Sequence, residues 1–132
     1  MLQIFRVEHA TTRQGPFQTN DEFTQQLASR TADSPLLKSP PEDGLPLGNI
    51  PWCFVFGCLS LETLKQWFLL GNGAVDNEHI IGTLKSKGFH LVEYLVEAGD
   101  YIVSNSGIQV AFSTSEARYE GLVQAHDLTV LL

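Results

Sequence analysis

Apolar positions in this chain gather into short runs punctuated by turn residues, and the spacing within each run indicates its conformation. Residues 2 to 9, LQIFRVEH, are rich in Ile, Phe and Val and stop before the polar stretch ATTRQGP, which predicts a first strand. Thr19-Asn20-Asp21-Glu22 has the form of a capping box, and Phe23 and Leu27 share one face, which predicts a short surface helix over about 20 to 30. Trp52-Cys-Phe-Val-Phe56 reads as a compact strand buried on both faces. Ser60 can cap the helix LETLKQWFLL that follows. There Leu61, Leu64, Trp67 and Phe68 form a core stripe, and Gly71-Asn72-Gly73 supplies the stop. A second helix is expected over about 76 to 87, with Ile80, Ile81 and Leu84 inward and Gly88 at its end. Three strand-like runs come next, FHLVEYLVE, YIVSN and IQVAF, separated by Ala98-Gly99-Asp100 and Ser106-Gly107, both suited to hairpin turns. Thr114-Ser115-Glu116-Ala117 predicts a short helix, and Asp127 to Leu132 a closing strand.

Five of the six prolines lie between Thr31 and Pro51, where neither a regular helix nor a central strand can form. A loop of this length is functional more often than a short one, yet Leu36, Leu37, Leu45, Leu47 and Ile50 would let it pack over the core. Both readings stay open: a partner-binding lid, or structural cover. Strands clustered late and in hairpins predict an α+β fold, a single domain over 1–132. It would have a mostly antiparallel sheet, about three or four short helices and the Pro-rich loop at about 31–51. A doubly wound parallel sheet fits this order less well.

Composition narrows the function more than it narrows the fold. A chain of 132 residues buries roughly two thirds of its unfolded surface, enough for a core without disulfide staples. Its formal net charge is -7, and the eight Lys and Arg residues are scattered, so no basic stripe can follow a phosphate backbone. Direct nucleic-acid binding is therefore not expected. The acidity either keeps the protein in solution or steers it toward a basic partner. Cys53 and Cys58, spaced Cys-x4-Cys with no second pair, read as two small buried thiols rather than a zinc site. Neither a signal peptide nor an apolar run of the roughly 18 residues needed for a membrane span is evident, so the expected location is cytoplasmic.

Candidate chemistry is sparse. The chain has no Gly-rich phosphate loop, no His-Glu-x-x-His and no Gly-x-Ser-x-Gly, and His9, His79, His90 and His126 are too dispersed for a metal site by spacing. Adjacent carboxylates at Asp21-Glu22 and Glu42-Asp43 point apart and are explained by a helix start and a turn. Arg6 is the exception. Flanked by Phe5 and Val7, its guanidinium is at least partly desolvated and needs an acceptor, and Glu8 lies two positions on, on the same face. It is half of a structural ion pair, an edge-strand charge, or a ligand-binding arginine.

FRVEH followed by GPF, the acidic PPEDG loop, FVFGCLSLETLKQWF and GFHLVEYLVEAGDYIVSNSGIQVAF resemble a group of small tailed-phage and prophage proteins. The resemblance covers most of the chain, and its motifs are structural rather than catalytic. It implies a phage or prophage accessory protein that binds and inhibits a host or defence protein complex, as anti-CRISPR proteins do. Asp33, Glu42 and Asp43 would meet the partner's basic surface, without a cofactor or a metal. A fainter resemblance is to the ADP-ribosyltransferase fold, which implies NAD held by Arg6 or His9, with Ser60 at the second position of that fold's motif. The late strand SGIQVAF carries Gln109 where that fold needs a catalytic Glu, and an amide cannot act as the carboxylate. A virion assembly protein with no site of its own is the third expectation, and the oligomeric state is left open.

Overall fold

The computed structural model describes residues 2–16, 22–23, 25–27, 54–69, 74–96, 101–113 and 122–132. They form two three-stranded sheets, and every described strand pairing is antiparallel. The first sheet has β1 (Leu2–His9), β3 (Phe89–Val96) and β6 (Leu122–His126), in the order β1-β3-β6. The second has β2 (Phe54–Gly57), β4 (Tyr101–Val103) and β5 (Val110–Ser113), in the order β2-β5-β4. Two helices, α1 (Leu61–Leu69) and α2 (Ala74–Ser86), and a closing 3-10 turn (Leu128–Leu131) complete the regular structure, and residues 22, 23 and 25 to 27 are helical. The α+β class expected from the sequence is the class observed.

The first sheet is the middle layer. Alternation along β1 and β3 sends Phe5, Val7, Phe89 and Leu91 into one core with Leu64, Phe68, Ile80, Ile81, Leu84 and Leu131 of the helices. The other face sends Ile4, Val92, Tyr94 and Val96 against Val110 and Phe112 of the second sheet. A central strand covered on both sides needs apolar residues at nearly every position, and FHLVEYLV supplies them. The two sheets touch through a bridge between Phe5 and Cys58, whose backbones exchange hydrogen bonds of 2.8 Å in both directions. Gly57 makes this approach possible, since a Cβ there would lie 2.6 Å from Ile4 Cγ2 and 2.9 Å from the Phe5 carbonyl oxygen.

Several elements match their sequence signals closely. β1 covers the expected residues, the Ser60 hydroxyl accepts from Thr63 N at 3.1 Å to cap α1, and α2 buries Ile80, Ile81 and Leu84. Gly88 ends that helix region with φ of +93°. Cys58 is a free, buried thiol.

Other expectations are corrected. Among the described residues FHLVEYLV and YIV do not pair as a hairpin: β3 pairs with β1 and β6, whereas β4 pairs with β5, so the two strands belong to different sheets. β3 is long and apolar on both faces, which suits the centre of the middle sheet, and β4 is a three-residue edge. The closing strand expected from Asp127 onward is a 3-10 turn. Asp127 caps it by accepting from Thr129 N at 2.9 Å, and the strand is the preceding LVQAH. Val55 and Phe56 of β2 are half-buried rather than enclosed on both faces. The Pro-rich loop, Thr19, Trp52, Cys53, the Gly71–Gly73 stop, the Ala98–Asp100 turn and the helix at Thr114–Ala117 lie outside the described residues.

Candidate functional site

The strongest polar constellation is built on β1, between the two sheets. Residues 6 and 8 share the face that looks toward the second sheet, and both are buried, Arg6 at 5% exposure and Glu8 at 2%. Arg6 Nε donates to Glu8 Oε2 at 3.2 Å, Nη1 to the Phe56 carbonyl of β2 at 2.7 Å, and Nη2 to the Arg13 carbonyl at 3.1 Å. Tyr94, fully buried on β3, donates its hydroxyl to Glu8 Oε1 at 2.6 Å. Arg13 Nη1 lies 3.9 Å from that same oxygen.

Burial lowers the Arg6 pKa, and the Coulombic pull and hydrogen bond of Glu8 act against it. An arginine in such surroundings keeps its proton, so the pair is ionic. Burial also raises the Tyr94 pKa, and the hydrogen bond to Glu8 raises it further, because that bond needs the phenol proton. The hydroxyl is therefore a fixed donor. With Arg6, Tyr94 and Arg13 all facing Glu8, the carboxylate is neither a free base nor a nucleophile. The arrangement braces β1 to β2, β3 and the turn after β1.

That turn is itself constrained. Arg13 has a positive φ of 63°, costly for a non-glycine residue. Its carbonyl is gripped by Arg6, its N–H donates to the His9 carbonyl at 2.9 Å, and His9 N donates to the Gln14 carbonyl at 2.8 Å. His9 Nδ1 accepts from Thr11 N at 3.1 Å and Thr12 N at 3.2 Å. The ring stacks edge-on against Phe89 at 5.5 Å, close above Gly88, where a Cβ would come within 2.8 Å of Nε2.

The structure thus separates the residues named for NAD. Arg6 faces the second sheet, His9 packs on Phe89 on the opposite face of β1, and Ser60 is the cap of α1. Gln109, 4% exposed, closes the β4–β5 hairpin, where its carbonyl accepts from Ser104 N at 3.0 Å. Asp33, Glu42 and Asp43 lie outside the described residues. Among the described residues no group of three or more His, Cys, Asp or Glu side chains is placed to hold a metal ion.

A second polar cluster was not foreseen. His126 Nε2 and Glu93 Oε1 are 2.6 Å apart across β3 and β6, and Gln3 Nε2 donates to Glu93 Oε2 at 3.1 Å. Strand pairing alone joins these residues, since β6 runs beside β3 and sets His126 opposite Leu91, two positions from Glu93. Among the described residues no helix is long and apolar enough to cross a membrane.

Comparison with curated proteins and with solved structures gives no match. A family model described as Bacteriophage T4 Y00F protein matches residues 1–126. With nearly the whole length matched, the chain belongs to the bacteriophage T4 Y00F protein family and is a phage protein.

Proposed function

We propose that this phage protein acts by binding rather than by catalysis. It is an accessory protein that associates with a host or defence protein complex in the bacterial cytoplasm and blocks it, in the manner of an anti-CRISPR protein. The acidic, loop-rich surface carrying Asp33, Glu42 and Asp43 would make the contact. One observation supports the non-catalytic side of this reading: the Arg6 guanidinium, His9 Nδ1 and the Ser60 hydroxyl are each engaged by internal partners. The formal charge of -7 supports a partner with a basic surface, for which opposite charge speeds encounter and orients docking.

The test isolates the complex formed by the tagged protein in lysate of its bacterial host and then measures affinity between the purified components. Reversal to Glu42→Lys and Asp43→Lys is expected to weaken binding and to flatten its dependence on salt. Unchanged affinity at low salt removes the acidic loop from the contact. Saturable NAD binding that disappears in Arg6→Ala would replace this reading with the transferase one. Self-association without any partner would favour a role in virion assembly.

A further inference from the structure

Strand β4 lies at one edge of the second sheet as described, and its three residues are Tyr101, Ile102 and Val103. Natural edge strands are guarded against joining other strands by charges, prolines or bulges. β4 has none of these, and its register with β5 runs without a shift. Ile102 is 42% exposed and Val103 40%, two neighbouring apolar side chains in contact with solvent. The neutrality extends through the hairpin: residues 101 to 113 hold no charged side chain, in a chain whose formal net charge is -7. The ladder also fixes which way the backbone points. Ser104 N donates to the Gln109 carbonyl at 3.0 Å, and hydrogen-bonded and non-hydrogen-bonded pairs alternate along an antiparallel ladder. The next exchange is therefore between Ile102 and Ala111, and the N–H and C=O groups of Tyr101 and Val103 point to the open side of β4. Tyr101 packs into the core between the sheets, so Ile102 stands on the opposite face, away from the first sheet.

We propose that β4 pairs antiparallel with β4 of a second copy of this chain, across a two-fold axis at Ile102. The register is self-complementary. A two-fold axis at Ile102 sets Tyr101 opposite Val103 of the second copy, and these are the residues whose backbone groups face outward. The two Ile102 residues then form a non-hydrogen-bonded pair, with Cα atoms about 4.5 Å apart and β-branched side chains in contact. Charge favours the same occupant. Two chains that are each strongly acidic repel, and a neutral hairpin is a surface on which they can meet without setting like charges face to face. A contact of three residues a side is smaller than a standard stable interface, so the dimer is weak and forms at high protein concentration.

The test is sedimentation velocity and residue-resolved amide hydrogen exchange of the full chain as its concentration is raised. Between about 20 µM and about 1 mM the Tyr101 and Val103 amides are expected to slow severalfold in step with the dimer fraction, while the Ile102 amide, already in the ladder with β5, changes little. Ile102→Lys sets two like charges across the axis and is expected to abolish the dimer while leaving the dilute melting curve unchanged. Val130→Lys, at an apolar position 52% exposed on the closing turn, is expected to leave the dimer intact. Salt is expected to strengthen the dimer by screening the repulsion of two acidic chains, whereas it weakens attraction to a basic partner. A chain that stays monomeric throughout, or a dimer that survives Ile102→Lys or weakens with salt, would overturn the proposal. Capture of a host complex does not bear on this outcome.

Discussion

The Tyr94 hydroxyl reaches 2.6 Å from Glu8 Oε1 although the two residues are 86 positions apart in the chain. The contact joins the middle strand of the first sheet to its edge strand, on the face where both meet the second sheet. Removing the hydroxyl in Tyr94→Phe takes one donor from a buried carboxylate and is expected to cost about 1–3 kcal/mol. Glu8→Ala leaves the Arg6 charge buried without its counter-ion and is expected to cost more, about 3–5 kcal/mol. Urea unfolding of both variants and of the double variant Arg6→Met/Glu8→Leu checks this. If the double variant loses as much as Glu8→Ala, the penalty does not arise from an uncompensated charge.

Two glycines give opposite expectations for the same substitution. Gly57→Ala drives a methyl into Ile4 and into the Phe5 backbone, which cannot step aside, and is expected to destabilise by about 1–3 kcal/mol. Gly82 lies on an exposed position of α2 with nothing within 4 Å of a built Cβ, so Gly82→Ala is expected to stabilise by up to about 1 kcal/mol. Thermal unfolding of the pair separates crowding from backbone entropy.

Burial pushes the Cys58 thiol from 9.0 up to about 12, despite hydrogen bonds with Thr63 and Trp67 that act the other way. The folded state thus holds a proton that the unfolded state releases above pH 9. The resulting stability is full below that pH and is lost as pH rises toward 12. In a Cys53→Ser background, the wild-type thiol is expected to give a steeper loss of stability between pH 9 and pH 12 than Cys58→Ala. Parallel curves would show that the thiol does not carry this effect.

The ADP-ribosyltransferase resemblance implies an NAD contact at Ser60, which the structure has as a helix cap. Ser60→Ala removes the acceptor for Thr63 N and is expected to cost about 1 kcal/mol. Circular dichroism melts report this directly, and a parallel NAD titration would show whether the hydroxyl has any role beyond capping.

The legible parts of the sequence were those written in local code. The first strand, the cap at Ser60, the inward stripe of α2, the turn at Gly88 and the Arg6–Glu8 pair all rest on neighbours a few positions apart. What local code could not supply was partnership at a distance. Nothing near FHLVEYLV states that it pairs with residues 2 to 9 and 122 to 126 rather than with the next run. Tyr94 was unremarkable as a strand aromatic, and only the antiparallel register that sets it opposite Ile4 brings its hydroxyl to Glu8. The closing residues misled for a related reason: Val130, Leu131 and Leu132 look like strand, but the Asp127 side chain competes for the backbone and turns it.

The placement of β1 also sets an order of events during synthesis. Its described strand partner, β3, begins at Phe89, and Tyr94 follows Glu8 by 86 residues. At a ribosomal rate of about 5–20 residues per second, the nascent Glu8 waits roughly 4 to 17 s before its tyrosine exists. Until β3 is made the strand lacks that partner, and Ile4, Phe5 and Val7, buried in the finished protein, lack the core that covers them. The charges of Arg6 and Glu8, which the folded state hides, are then at the surface of an extended segment, where charge discourages strand-to-strand association between chains. The pair that braces the finished protein thus also acts as a gatekeeper for the unfinished one.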